Sequence, residues 1–138
     1  MSRRPRRRVT STADLVRRAY AALAERDLET LGELAVPDFE LDVTDRVLNP
    51  ATYRGEEGLR QFLAEVDELW EFMDLKVERL VERDDEVLAL LLVDIKGRGS
   101  GLTLQDRIAQ RWTVRDGKLI RMRVIADQER GLAEFEAH

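Results

Sequence analysis

Apolar residues recur along this chain with two periods, the first helical and the second strand-like. Leu15, Val16, Ala19, Tyr20 and Leu23 fall three and four apart, which predicts a helix. Ser11 followed by Asp14 supplies a capping box at its start. Asp27 is placed to cap a short second helix carrying Leu28, Leu31 and Leu34, and Pro37 helps to end it. In FELDVTD, residues 39 to 45, Phe39, Leu41 and Val43 alternate with Glu40, Asp42 and Thr44, the pattern of a half-buried strand. After a loop with Asn49-Pro50, Gly55 opens a third helix, with Leu59, Phe62, Leu63, Val66, Leu69 and Trp70 along one side.

The rest of the chain alternates. LKVERLV (75 to 81) is a strand with Leu80 out of phase, and ERDDE turns the chain. VLALLLVDI (87 to 95) is apolar on both parities, as expected of a central strand covered on both faces. GRGSG (97 to 101) breaks it. A phosphate loop would need a helix after the glycines, and strand pattern follows, so these residues read as a hairpin. The next strand runs from 102 to about Val114. RDGK (115 to 118) is a tight turn, because Asp-Gly tolerates positive φ. LIRMRVIA is the last strand and DQERGLAEF a short closing helix. The expected fold class is α+β, with helices packed on a curved antiparallel sheet. Such a sheet closed by helices leaves a cone whose mouth can hold a ligand. The expected organisation is a disordered basic tail over residues 1 to 12 and one domain over 13 to 138.

One strand breaks its own rule. In LTLQDRIAQRW (102 to 112), the even positions are Leu102, Leu104, Asp106, Ile108, Gln110 and Trp112. Side chains alternate between faces, so Asp106 and Gln110 share the apolar side. Buried polar groups are costly unless paired. A ligand pocket would use both as hydrogen-bonding groups; the other reading pairs Asp106 with a nearby arginine, across strands, near a frayed end of the sheet.

Composition narrows the classes. The chain has 138 residues, 43% hydrophobic, enough for one domain with a real core. MSRRPRRR holds five arginines in the first eight residues, so the net −5 of the whole chain leaves −10 on residues 9 to 138. An acidic body argues against a nucleic-acid face on the folded domain. Cysteine is absent, which removes disulfides, thiolate chemistry and cysteine zinc sites. The single histidine is His138, the last residue, so histidine triads and multi-histidine metal sites are not expected. No spaced ligand motif supports a metal. The longest apolar run, VLALLLV, is too short to span a bilayer, so no membrane contact and a cytoplasmic location are expected.

The order of elements resembles the nuclear transport factor 2-like superfamily, in particular its SnoaL-like polyketide cyclase and ketosteroid isomerase branch. AYAALAERDLETLGEL (19 to 34), YRGEEGLRQFL (53 to 63) and RWTVRDGKLIRMRVIAD (111 to 127) carry the resemblance. It implies a cone-shaped fold, a small apolar organic ligand, no cofactor, and a homodimer through the outer sheet face, where Arg121 and Arg123 alternate with Ile120, Met122 and Val124. The positions matching the isomerase's base, tyrosine and acid are Val43, Ala19 and Gln110, so that set is not reproduced. Tyr20 is one residue from the tyrosine position and Asp45 two from the base position. The limonene epoxide hydrolase branch uses Arg-x-Asp and a second aspartate. Leu92-Val93-Asp94 and Asp127 stand there, without the arginine.

Four carboxylates are therefore the candidate proton carriers: Asp45, Asp94, Asp106 and Asp127. A carboxylic acid in an apolar cavity has its acidity lowered by desolvation and can exchange protons near neutrality. Tyr20, Gln110 and Trp112 are the candidate substrate-binding residues, being amphipathic or polar groups on apolar faces. The expected activity is cofactor-free acid–base chemistry, an isomerase or cyclase. The alternatives are an epoxide hydrolase using Asp94 and Asp127, or a non-catalytic dimeric binding module.

Overall fold

The computed structural model describes residues 11–46 and 50–137. The expected basic tail lies outside the described residues as far as residue 10, as does Asn49 of the expected loop. Helix α1 spans Thr12–Ala24, and the Ser11 hydroxyl accepts the Asp14 N–H at 3.1 Å, the cap that the sequence proposes. Its buried stripe is Ala13, Leu15, Val16, Ala19 and Ala22. Asp27 caps α2 (Leu28–Leu34) by accepting the Thr30 N–H and hydroxyl at 3.1 and 2.6 Å.

Strand β1 (Ala35–Asp42) follows α2 directly. Pro37 does not end the helix; it lies inside β1, where the register with the neighbouring strand shifts between Ala35 and Glu40. A residue without an N–H is tolerated at such an irregularity. A three-residue strand that the sequence pattern does not reveal, β2 (Thr52–Arg54), pairs antiparallel with β1. Helix α3 (Gly55–Leu69) starts at Gly55, with φ +67°. A Cβ there would sit 2.9 Å from the Pro37 carbonyl oxygen, so the position requires glycine.

Trp70 does not extend the helical stripe. It begins β3 (Trp70–Arg83), which is longer than its alternating segment suggested. β4 (Glu86–Gly97), β5 (Thr103–Arg115) and β6 (Lys118–Ile125) complete the meander, and α4 (Gln128–Glu136) closes the described chain. Asp116 and Gly117 both take positive φ, as the RDGK turn demands. The sheet order is β2-β1-β6-β5-β4-β3. All neighbours are antiparallel except β1 and β6, which run parallel because the last strand returns beside the first in the same direction.

The sheet has two differently covered faces. The inner face carries Val87, Ala89 and Leu91 of β4 and Trp112 and Val114 of β5, packed with α1, α2 and half-buried Leu59 and Phe62 of α3. The outer face carries Leu88, Leu90, Ala109 and Ile125 under Phe135 of α4, which is 1% exposed. So the expected one-sided helical cover becomes three helices inside and one outside. Strand β4 is apolar on both parities because both of its faces are covered. Gly131 of α4 permits the approach: a Cβ there would fall 2.9 Å from Ala109 Cβ. Arg121 pairs with Glu40 and Asp42, and Arg123 lies 3.9 Å from Glu134 of α4. Among the described residues, no helix is long and apolar enough to cross a membrane.

Candidate functional site

Strand parity delivers Gln110 to the inner face, as the sequence pattern requires. Its neighbour across the ladder on β4 is Ala89 and on β6 Val124, both in the inner core. Gln110 is 6% exposed and, with Asp42, is one of two buried polar residues among those described. Its Oε1 accepts the Tyr20 hydroxyl proton at 2.5 Å. The Tyr20 oxygen in turn accepts the indole N–H of Trp112 at 3.0 Å. Trp112 meets Tyr20 edge-on, with ring centroids 5.4 Å apart, and Phe39 lies 6.2 Å beyond. Tyr20 reaches this place because it follows Ala19 on α1. Ala19 is wholly buried, and one residue further round the helix the longer side chain slants toward β5.

Burial pushes the Tyr20 phenol well above its ordinary value, more than the Trp112 hydrogen bond lowers it. Tyr20 therefore stays neutral throughout the physiological range, although part of the residue is still accessible. Half-buried apolar side chains, among them Leu23, Phe62, Leu75, Leu80 and Ile108, pack against the inner core to which Trp112 belongs. Two hollows open elsewhere. One of about 700 Å³ is bounded by Tyr53, Gly58 and Glu65 beside α3, and one of about 460 Å³ by Asp38, Arg115 and Arg121. Neither is lined by Tyr20, Gln110 or Trp112.

The four aspartates do not share one place. Asp106 has the parity of Gln110 but sits toward the open end of β5, exposed, its Oδ1 accepting the Arg107 N–H at 2.9 Å. Asp94 pairs in register with Asp74 and Gln105. Its parity is that of Leu88 and Leu90, so it faces outward. Asp127 caps α4, accepting the Glu129 and Arg130 N–H groups at 3.0 and 3.2 Å. Asp45 accepts the Ala126 N–H at 2.8 Å and the Arg130 guanidinium at 2.5 Å. The Ala126 bond above all, then Arg130 and Arg123, holds the Asp45 carboxyl below the usual carboxylate range against the opposing effect of burial. Arg130 thus gathers Asp45 and Asp127 at the foot of α4. No hydrogen bond links Asp94 to Asp127 among the described residues.

Residues 16–122 match the model of the SnoaL-like domain. The chain belongs to the SnoaL-like family. Among solved structures, this SnoaL-like chain is similar to TerC co-crystallised with polyporic acid, at 26% identity and a TM-score of 0.73, over 91% of this chain and 95% of that one. It is similar to IdmH from Streptomyces antibioticus, a proposed polyketide cyclase, at 25% identity and a TM-score of 0.69, over 91% and 99% of the two chains. A nuclear transport factor 2-like protein from Burkholderia pseudomallei K96243 shares the fold at 18% identity and a TM-score of 0.74, over 88% and 95%. No curated protein matches the chain by sequence.

Sequence reasoning missed two features of this SnoaL-like domain. Asp42 has the strand's outward parity, yet it is 7% exposed. Burial would raise its carboxyl, but bonds from the Thr44 hydroxyl and N–H, and the Arg121 guanidinium, together hold it below the usual range. The signal was present as Asp-x-Thr, a local side-chain-to-backbone turn. Gln128 reaches back from α4 to the Leu91 and Ile108 carbonyls at 3.3 and 2.9 Å. Nothing local announced that contact, since it joins elements far apart in the chain.

Proposed function

We propose that this SnoaL-like domain binds a small, largely apolar organic molecule against the inner sheet face, and that it acts there without a cofactor as an isomerase or cyclase. The observation that carries the reading is the buried amide of Gln110 among apolar side chains. A core that needed only packing would place an apolar residue there, because burying an amide costs free energy unless it is fully bonded. TerC's co-crystallisation with polyporic acid and IdmH's description as a polyketide cyclase support the ligand class. Asp106 is the proton carrier on this reading. It shares strand and parity with Gln110, and no cation pairs with it among the described residues. Asp45 and Asp127 are engaged in holding α4, and Asp94 belongs to the other face, which favours this reading over an epoxide hydrolase.

The test is a panel of flat bicyclic ketones followed by amide and indole NMR shifts, with catalytic turnover assayed beside it. Binding is expected to perturb Ile108, Gln110 and Trp112 together. Asp106→Asn is expected to abolish turnover while leaving Tm within about 1 °C, as for an exposed substitution. A panel that perturbs no inner-face residue overturns the binding reading. Unchanged turnover in Asp106→Asn removes Asp106 from the chemistry.

A further inference from the structure

The inner-face trio is a hydrogen-bond chain with a direction, and the direction follows from what each group is able to do. An indole N–H only donates. The Tyr20 oxygen accepts it at 3.0 Å, so the phenolic proton must go elsewhere, and the only other partner of the Tyr20 hydroxyl among the described residues is Gln110 at 2.5 Å. That partner atom must be an acceptor, so it is the amide oxygen. With the amide reversed, the Tyr20 oxygen would receive two N–H groups and its own proton would be stranded in the interior. One unmade buried bond biases the population by about tenfold or more.

We propose that Trp112 and Tyr20 lock the Gln110 amide with its NH2 group toward the ligand space, so that the site selects molecules presenting a hydrogen-bond acceptor, such as a carbonyl or enolate oxygen. This rests on the reading of the inner face as a ligand site. The amide Nε2 donates to no described residue, although the side chain is more than nine-tenths buried. Tyr20 has spent its only donor on Gln110, and Trp112 its only side-chain donor on Tyr20. Of the three side chains, only that of Gln110 has a donor left for a ligand. Tyr20 and Trp112 are therefore positioning residues, which narrows the substrate-binding role expected of all three.

Two measurements test this. In the ligand-free protein, proton exchange at the Trp112 indole should be slow and its resonance shifted downfield, while both Gln110 side-chain protons exchange fast, without the signature of a bond. Tyr20→Phe should bring the indole resonance back upfield. A protected Gln110 side-chain proton that loses its protection in Tyr20→Phe would mean the amide is reversed, and the proposal would be overturned whatever binds. The second measurement compares 1-tetralone, an acceptor, with its hydrocarbon tetralin and with 1,2,3,4-tetrahydroquinoline, a donor of the same shape. The ketone should bind about tenfold tighter than either, the size of one ordinary hydrogen bond. Gln110→Leu should erase that preference. Tyr20→Phe should shrink it several-fold, with tetralin affinity retained, because the freed amide turns. A ketone preference that survives Gln110→Leu overturns the proposal. If none of the three compounds binds, the ligand reading fails and this proposal falls with it, even where the exchange data show the amide held as described.

Discussion

Gln110 and Asp42 are the two buried polar residues among those described, and they lie on opposite faces of one sheet. Asp42 is saturated. Its Oδ1 takes the Thr44 N–H at 2.9 Å and hydroxyl at 2.6 Å, and its Oδ2 takes Arg121 at 2.8 Å. Gln110 is half-used. Its oxygen has Tyr20, and its nitrogen donates to no described residue. The charged group on the outer side is thus held by everything around it, as burial of a charge demands. The neutral group on the inner side keeps two donors in reserve. A polar residue that the fold has completed is structure. One that the fold has left incomplete is available for chemistry.

That contrast makes graded predictions. Asp42→Ala should be the most damaging change, costing about 2–3 kcal/mol by urea denaturation at pH 7, because it removes three bonds, one of them to a guanidinium. Its pH dependence has a definite sign. The Asp42 carboxyl is held below its unfolded value of about 3.9, so its contribution is complete above roughly pH 5 and is lost as pH falls through the folded value. The gap between the native protein and Asp42→Asn should therefore narrow between about pH 5 and pH 2. A gap that is constant with pH would mean that Asp42 carries no special charge stabilisation. Tyr20→Phe should cost less, about 1–2 kcal/mol, by leaving Gln110 Oε1 and the Trp112 N–H unpaired. Gln110→Met should cost least, about 1–1.5 kcal/mol, since the Tyr20 proton alone loses its acceptor while the chain volume is kept. If Gln110→Met proves as costly as Asp42→Ala, the inner amide is as complete as the outer carboxylate and the comparison collapses.

The same contrast shows how much was legible beforehand. The α1 stripe, the Ser11 cap, the Asp116-Gly117 turn and the double-sided burial of β4 all follow from local rules. Each is a periodicity, a cap or a φ preference that a short window of residues encodes. Gln110 was placed on the apolar parity of its strand and lies there. Tyr20 and Trp112 were singled out as amphipathic, but their bonds to one another and to Gln110 span about 90 residues of sequence, and no local pattern contains such a pairing. The aspartates illustrate the opposite limit. Asp45, Asp94, Asp106 and Asp127 look alike in the sequence. Only the fold gives Asp45 to Ala126 and Arg130, Asp94 to the outer face and Asp106 to the open end of β5.

By itself the sequence determined the α+β class, most of the elements, the SnoaL-like resemblance and the conflict at Gln110, because alternation, helical spacing and turn chemistry are short-range properties. Only the tertiary structure decided that β1 and β6 run parallel, that α4 covers the outer face, and which polar groups find partners. Those outcomes depend on which distant segments meet. A hydrogen bond's value is set by whether its counterpart is there, and the chain brings the counterparts together only when it folds.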